Sequence, residues 1–257
     1  MKDLSIEKAD YSKIAKVYDD ARPLSEQNTD IWLKLIAEKI NVQGDVTLLD
    51  LGCGTGRFTI PIATQLGYSV TGADASEDMV IRASVKKDAE RAMWDVQDAS
   101  SLTYSDDSFD AVFMSHLLHH IDAPLKVLGE CYRVLKPGGV LLNRYGALED
   151  LNDPEHVFFP ETLEIDKERC ATKSKMEKWV KKTGFNRVSS KTISQQTYQT
   201  AEERLNAVKL KSTSVLTLIS KAAYEKGVEA FRRYITQHQD DRWLLLDKIT
   251  LTIGHKK

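Results

Sequence analysis

Three glycines at alternate positions, Gly52, Gly54 and Gly56, follow an apolar run over residues 46–51 that carries a single acid, Asp50. An apolar run that breaks into Gly-x-Gly-x-Gly and then a helical pattern reads as a buried strand, a tight turn and a helix. Glycine takes positive φ and leaves no Cβ between backbone and ligand, and the helix that follows offers free N–H groups to an anion. The chemistry is that of a cradle for a nucleotide at the carboxyl edge of an open α/β sheet. A second acid, Asp74, closes the strand pattern of residues 69–74 about twenty residues on, where a βαβ unit places a ribose-binding carboxylate. Such a group accepts from two vicinal hydroxyls at once, which neutral side chains do less well. Asp98, followed by Ala99, ends a third candidate strand. Arg57 stands where Gly-x-Gly-x-x-Gly needs its last glycine, so the loop departs from the dinucleotide fingerprint.

A second set of reactive side chains follows the strand pattern of residues 109–114, which runs on through Ser115 into His116, His119 and His120. His116 and His120 stand four apart, as paired zinc ligands do on a helix. No carboxylate or cysteine at ligand spacing completes a third vertex, and the sequence is read as holding no metal. His116 lies at the strand's carboxyl end and is the candidate general base. Tyr18, His116, Arg144, Tyr145, His156, Phe158, Phe159 and Tyr198 are candidate pocket walls, and Arg144 or Arg204 could hold an acidic ligand.

Helices and strands must position these groups. Residues 9–23 read as a short helix that stops at Arg22-Pro23, because proline disfavours helix in its predecessor. Trp32, Leu35, Ile36 and Ile40 give residues 29–40 one apolar stripe. Phe58, Ile62 and Leu66 share a face of the helix after the glycine loop. Ser76 is the expected N-cap of the next helix, with Glu77 and Asp78 in its first turn. Asp122 is the expected cap of a helix carrying Pro124 early and Leu128, Cys131 and Leu135 on one face. Lys136-Pro137-Gly138-Gly139 turns the chain into a fifth strand, residues 140–145. Residues 146–171 show no periodicity, which in a compact domain suggests a functional lid. A helix over 173–182, ended by Gly184, leads to a strand near 187–193. Leu205, Val208, Leu216 and Ile219 then line one helical stripe, and Tyr224, Val228, Phe231 and Ile235 another. The final strand is expected over 244–253.

The stretches LLDLGCGTGRFTIPIA, VTGADASEDMV, DASSLTYSDDSFDAVFMSHLLHHI and ECYRVLKPGGVLL, in this order, resemble the class I S-adenosylmethionine-dependent methyltransferases. The branch is the small-molecule one that includes ubiquinone and menaquinone biosynthesis enzymes. The resemblance covers residues 46–143 and implies a doubly wound, seven-stranded, mostly parallel sheet with an antiparallel last strand. It implies S-adenosyl-L-methionine as cofactor and S-adenosyl-L-homocysteine as product. By the same resemblance Asp50, Gly52, Cys53, Gly54, Gly56 and Ser115 cradle the cofactor, and Asp74 holds its ribose. Ala75, Ser76 and Met79 flank the adenine, and Asp98 and Ala99 read its edge. The N-terminal helical segment is similar to one that covers the cofactor, which makes Tyr18 and Arg22 candidate contacts.

The expected organisation is a methyltransferase domain, residues 1–198 with 243–257, and a helical cap, residues 199–242, inserted before the last strand. A strand parallel to the sheet delivers the chain to the cofactor's edge, so an insertion after it must hang over the site. The competing role for the cap is a homodimer surface. A net charge of −2 supplies no basic field for nucleic acid. No Pro-Pro-aromatic motif of the nucleic-acid amino-methylating kind follows strand four; Met-Ser-His-Leu-Leu stands there instead. The charged N-terminus and the lack of a membrane-length apolar run suggest no signal or span, and three odd cysteines suit a reducing cytoplasm. The expected activity is methyl transfer to a small molecule. Its alternatives are a protein or RNA methyltransferase and a non-catalytic cofactor-binding module.

Calorimetry with S-adenosylhomocysteine and NAD should show micromolar binding of the former alone. Asp74→Ala should weaken it at least tenfold, about 1.4 kcal/mol; an unchanged affinity would remove Asp74 from the site.

Overall fold

A computed structural model describes residues 24–40, 42, 44–211 and 213–257. The helical segment assigned to residues 9–23, with Tyr18 and Arg22, lies outside them. Seven strands form one sheet: β1 (Thr47–Leu51), β2 (Ser69–Asp74), β3 (Ala92–Val96), β4 (Phe109–Ser115), β5 (Leu135–Tyr145), β6 (Asn186–Gln196) and β7 (Leu246–His255). Their order is β3-β2-β1-β4-β5-β7-β6. Strands β1 to β5 pair in parallel, and β7 runs antiparallel to both β5 and β6. The order reverses beside β1, so the crevice at its carboxyl end is where such a sheet receives a ligand.

Alternation along the buried strands divides the core into two layers. Leu48, Ala111, Phe113 and Leu142 face one side, against Trp32 and Ile36 of α1 (Glu26–Lys39) and Ile62 of α2 (Thr59–Gln65). Leu49, Val112, Met114 and Leu141 face the other, against α4 (Pro124–Val134) and α7 (Lys173–Lys182). Between them, α3 (Glu77–Ser84) links β2 towards β3 and is capped by the Ser76 hydroxyl, as its sequence indicates.

Two insertions add a third apolar cluster. Between β5 and β6 lie α5 (Pro154–Phe158) and α6 (Pro160–Arg169); between β6 and β7 lie α8 (Ala201–Lys209) and α9 (Lys221–Gln237). Phe159 from the first insertion packs with Leu205, Val208, Leu216, Phe231 and Ile235 from the second. Phe158 stacks on Phe231 with ring centroids 4.9 Å apart. Among the described residues, no helix is long and apolar enough to cross a membrane.

Several expectations change. Ala123, without a side-chain bond, occupies the N-cap of α4, and Pro124 is its first residue; Asp122 is not the cap. Residues 146–171 are largely helical, in pieces broken at Phe159-Pro160 too short to show a period. The stripe from Leu205 to Ile219 is not one helix: α8 ends at Lys209, Lys211 takes a left-handed φ of 52°, and Leu216 sits in the 3-10 turn Ser214–Thr217. Leu244 and Leu245 belong to a 3-10 turn before β7. Asp98 lies past the end of β3.

Gly227 marks the tightest approach in the third cluster. A Cβ there would stand 2.2 Å from Phe159 Cδ1 and 2.8 Å from the Phe158 carbonyl oxygen. Gly227→Ala should therefore lower the Tm, because overpacking at about 1–3 kcal/mol exceeds the gain of about 1 kcal/mol in helix propensity. A raised Tm in thermal denaturation would show that α9 can shift away from Phe159.

Candidate active site

The glycine loop is held by β2. Gly52 N and Cys53 N both donate to the Ala73 carbonyl oxygen, at 2.7 and 3.0 Å. Gly54 has φ +54° and open space where a Cβ would stand, so its backbone is bare towards the crevice. Asp74 is locked between loop and helix: one oxygen accepts from Gly54 N at 2.8 Å, the other from Ser76 N at 2.9 Å. Each oxygen keeps acceptor capacity for a ligand hydroxyl.

Asp50 lies beneath the loop, fully buried, and accepts from the Thr59 hydroxyl at 2.6 Å. Burial pushes its carboxyl up to about 7, with the Asp74 charge adding to the effect and the Thr59 bond opposing it. Burial also raises the Cys53 thiol, with Asp50 and Asp74 adding to it, which makes Cys53 packing rather than a nucleophile.

Asp50, Gly52, Cys53 and Gly54 form one end of a cavity of about 260 Å³. Ser115 and His116 from the end of β4 line it too. His116 holds a left-handed φ of 56°, costly for a residue with a side chain, and its N–H donates to the Arg144 carbonyl at 2.8 Å. That strain separates it from His120, which lies in a 3-10 turn, so the two do not share a helix face. Among the described residues, no group of three or more His, Cys, Asp or Glu side chains has metal-holding geometry.

Arg144 is buried in the cavity wall, its guanidinium 4.5 Å from the Trp32 ring centroid and 5.2 Å from that of Phe58. It donates to Ser115 Oγ at 3.1 Å and to Gln195 Oε1 at 3.5 Å. Gln195 Oε1 also accepts from Trp32 Nε1 at 2.7 Å. These bonds tie α1, β4, β5 and β6 together at the base of the cavity.

Both insertions supply the far wall through two ion networks. In the first, the His156 ring sits between Asp153, 2.7 Å from Nδ1, and Asp166, 2.9 Å from Nε2. Burial opposes the imidazolium, but the two carboxylates outweigh it and push its pKa up to about 10. Arg169 pairs with Asp166 and donates to Ser214 Oγ at 3.2 Å. In the second, Arg204 bonds both oxygens of Glu155, reaches Asp247 at 2.9 Å and donates to the carbonyls of Leu244 and Leu246. Its guanidinium lies 5.0 Å from the Tyr198 ring. Burial would lower its pKa, but Glu155 and Asp247 reverse that, and it stays charged. Thr213 Oγ1, a buried atom of a cavity-lining residue, has no hydrogen-bond partner.

Against the candidates from sequence, the structure gathers Asp50, Gly52, Cys53, Gly54, Ser115, His116, Arg144, His156, Tyr198 and Arg204 on this cavity. Asp74 joins it through Gly54, and Ser76 begins the adjoining helix, where Met79 is buried and Ala75 exposed. Gly56, with φ +76°, packs against Trp94, off the cavity wall. Asp98 is exposed and accepts from Ser100 N at 2.8 Å, a bond that holds its carboxyl below the usual range; it and buried Ala99 also lie off that wall. Three pocket candidates are displaced. Tyr145 alternates with Arg144 along β5, faces the opposite core layer and bonds to Thr252. Phe158 and Phe159 turn into the third cluster because their aromatic partners stand on α9. Sequence reasoning missed Asp153, Asp166, Arg169, Gln195, Thr213 and Lys248, which lie far apart in the chain and carry no motif.

A 3-2-1-4-5-7-6 sheet with a glycine loop and a loop-bound acid, Asp74, at its carboxyl edge defines a nucleotide-cofactor enzyme of the methyltransferase fold. Comparison with known proteins narrows this. The methyltransferase domain family matches residues 49–143. The 27-O-demethylrifamycin SV methyltransferase of Amycolatopsis mediterranei is 30% identical over 234 residues, 84% of this chain and 82% of that protein. A demethylmenaquinone methyltransferase of Lactobacillus johnsonii is 36% identical over 136 residues, 50% of this chain and 56% of that one. The phosphoethanolamine N-methyltransferase 2 of Haemonchus contortus, solved with phosphomonomethylethanolamine and S-adenosylhomocysteine, shares the fold at a TM-score of 0.65 and 23% identity. That superposition covers 94% of this chain and 56% of the other. The chain belongs to the S-adenosylmethionine-dependent methyltransferases.

Asp50 gives a pH test. The unfolded chain releases this proton near 3.8 and the folded chain near 7. The carboxyl therefore supports folding most below pH 4, loses that contribution between 4 and 7, and adds nothing further above. The change is of the order of 4 kcal/mol. In urea denaturation of the apoprotein, wild type should lose stability relative to Asp50→Asn as pH rises from 4 to 7. A constant difference would mean that Asp50 ionises like an exposed acid.

Proposed function

We propose that this enzyme methylates a small hydrophilic acceptor held between the cofactor cradle and the two insertions, which together act as a substrate cap. The observation that carries this reading is the cavity's far wall, built from ion-paired side chains and one buried, unpartnered hydroxyl, Thr213 Oγ1. A lipophilic ring would strip water from these groups without replacing its hydrogen bonds. A polar acceptor replaces them.

S-adenosylmethionine supplies an electrophilic methyl group. The residues proposed to hold it are the backbone at Gly52, the bare backbone at Gly54, the locked Asp74 carboxylate and Asp50. What the remaining residues contribute is alignment and exclusion of water, which in such displacements outweighs covalent help. Arg144, Gln195 and Trp32 fix the base of the acceptor site. Tyr198 and Arg204 close it from the cap. His116 receives the proton of an acceptor that arrives as an alcohol, phenol or ammonium.

The acidic balance of the chain and its lack of a basic field support a small molecule over a nucleic acid. The three cysteines are free thiols, which suits a cytoplasmic setting.

The test is transfer of labelled methyl from S-adenosylmethionine to a panel of phenolic acids, hydroxy acids and amines, set against long-chain quinols. Turnover should be confined to the hydrophilic set, and Thr213→Val should raise KM about five- to twentyfold at constant kcat, the loss of one buried hydrogen bond. Preferential turnover of quinols would overturn the reading.

A further inference from the structure

We infer that the methyl acceptor carries an uncharged carbonyl oxygen, as an amide, ester or ketone does, and that the adjacent hydroxyls of Thr213 and Ser214 recognise it. This rests on the cavity being the acceptor site. Both residues lie in the second insertion, between α8 and α9, and both line the cavity. Thr213 stands at the N-cap position of the 3-10 turn Ser214–Thr217, where a threonine hydroxyl commonly accepts from the backbone that follows. Here it makes no such bond, and its buried Oγ1 has no partner. Ser214 is 4% exposed, and its Oγ lies 3.2 Å from Arg169 Nη2. A guanidinium only donates, so the serine oxygen accepts and its own proton is left over. Among the described residues nothing takes that proton.

The turn holds both residues in place. Leu216 N donates to the Thr213 carbonyl at 3.1 Å, the Thr217 hydroxyl donates to the Ser214 carbonyl at 2.6 Å, and Val215 and Leu216 are buried. Two neighbouring hydroxyl protons without acceptors of their own fit an atom with two lone pairs. An ammonium group offers none, so a cationic handle would leave both protons unmatched. An anion meets a charge obstacle instead. Behind Ser214, Arg169 and His156 are matched by Asp166 and Asp153, but in the second network Glu155 and Asp247 outnumber Arg204. A carboxylate or phosphate would bring more negative charge beside that excess, whereas a carbonyl oxygen takes the two protons and adds no charge.

The test uses the full chain saturated with S-adenosylhomocysteine. Benzamide, benzoate and benzylamine, matched in shape and presenting a neutral carbonyl, an anion and a cation, are titrated and followed by ligand-observed NMR. Benzamide should bind at least about threefold more tightly than either of the others. Thr213→Val and Ser214→Ala should each weaken benzamide about three- to tenfold, the loss of one neutral hydrogen bond, and leave benzylamine unchanged. Thr213→Ser, which keeps the hydroxyl, should bind benzamide as wild type does. The Tm of ligand-free Thr213→Val should stay level or rise, because the hydroxyl it loses is buried without a bond. A lowered Tm would mean that this hydroxyl serves the fold and would overturn the inference. Binding of benzoate or benzylamine as tight as that of benzamide, or an unchanged benzamide affinity in either variant, would do the same. Those outcomes leave the hydrophilic pocket standing; binding of no probe at all would remove the acceptor site and the inference with it.

Discussion

A single buried guanidinium ties the two insertions to the start of β7. Arg204 is 2% exposed and touches three parts of the chain: Glu155 in the first insertion, Asp247 on β7, and the carbonyls that lead into β7. Taking such a group out of water is expensive, and the expense is met only because nearly every donor finds an acceptor in good geometry. Removing Arg204 leaves the buried Glu155 without its cation, a change typically worth about 3–5 kcal/mol, whereas removing Glu155 leaves Arg204 with Asp247 as its remaining carboxylate. Apolar side chains of similar size could hold the same helices together, so stability alone does not account for the choice of ions. What the ions add is directional constraint: a planar fork that admits one arrangement of α5, α8 and β7, and with it one shape of cavity.

The two halves of the molecule obey different physics. The cofactor half is mostly backbone: paired strands, a loop fastened by two N–H bonds to one carbonyl, and a carboxylate clamped by two more. Backbone geometry of this kind tolerates many side chains, which is why relatives with unlike acceptors share it. The insertion half is held almost wholly by side chains, through which charges meet. His116 stands on the border, held in a left-handed conformation at the end of β4.

That division also explains what could be read from sequence. The glycine loop, Asp74, the strand β2 and the helix α7 are local patterns, and the chain folds there as its periodicity indicates. The packing of the two insertions is not local. Phe158 and Phe159 look like pocket aromatics until α9, some seventy residues on, presents Phe231 to them. Glu155 and Arg204 are 49 positions apart, with no repeat or motif to connect them. Tyr145 and Arg144 both carry plausible pocket chemistry, but neighbours on a strand point to opposite faces, so only one could belong to the site. Thr213 left no trace in the sequence at all, because an unpartnered hydroxyl is defined by what surrounds it.

The position of the Arg204 network has a consequence for how this architecture diversifies. One insertion interrupts the path from β5 to β6, the other the path from β6 to β7, and both enter and leave at the same edge of the sheet. Neither disturbs the pairing of β7 with its two neighbours, so each loop could in principle be exchanged without cost to the cofactor half. The buried pair forbids exchanging them one at a time. A chimera that imports the first insertion from a relative loses Glu155 and leaves Arg204 with Asp247 as its one carboxylate, and the reciprocal chimera strands Glu155. The two segments are separate in the gene but form one structural unit, which changes from within or is replaced whole.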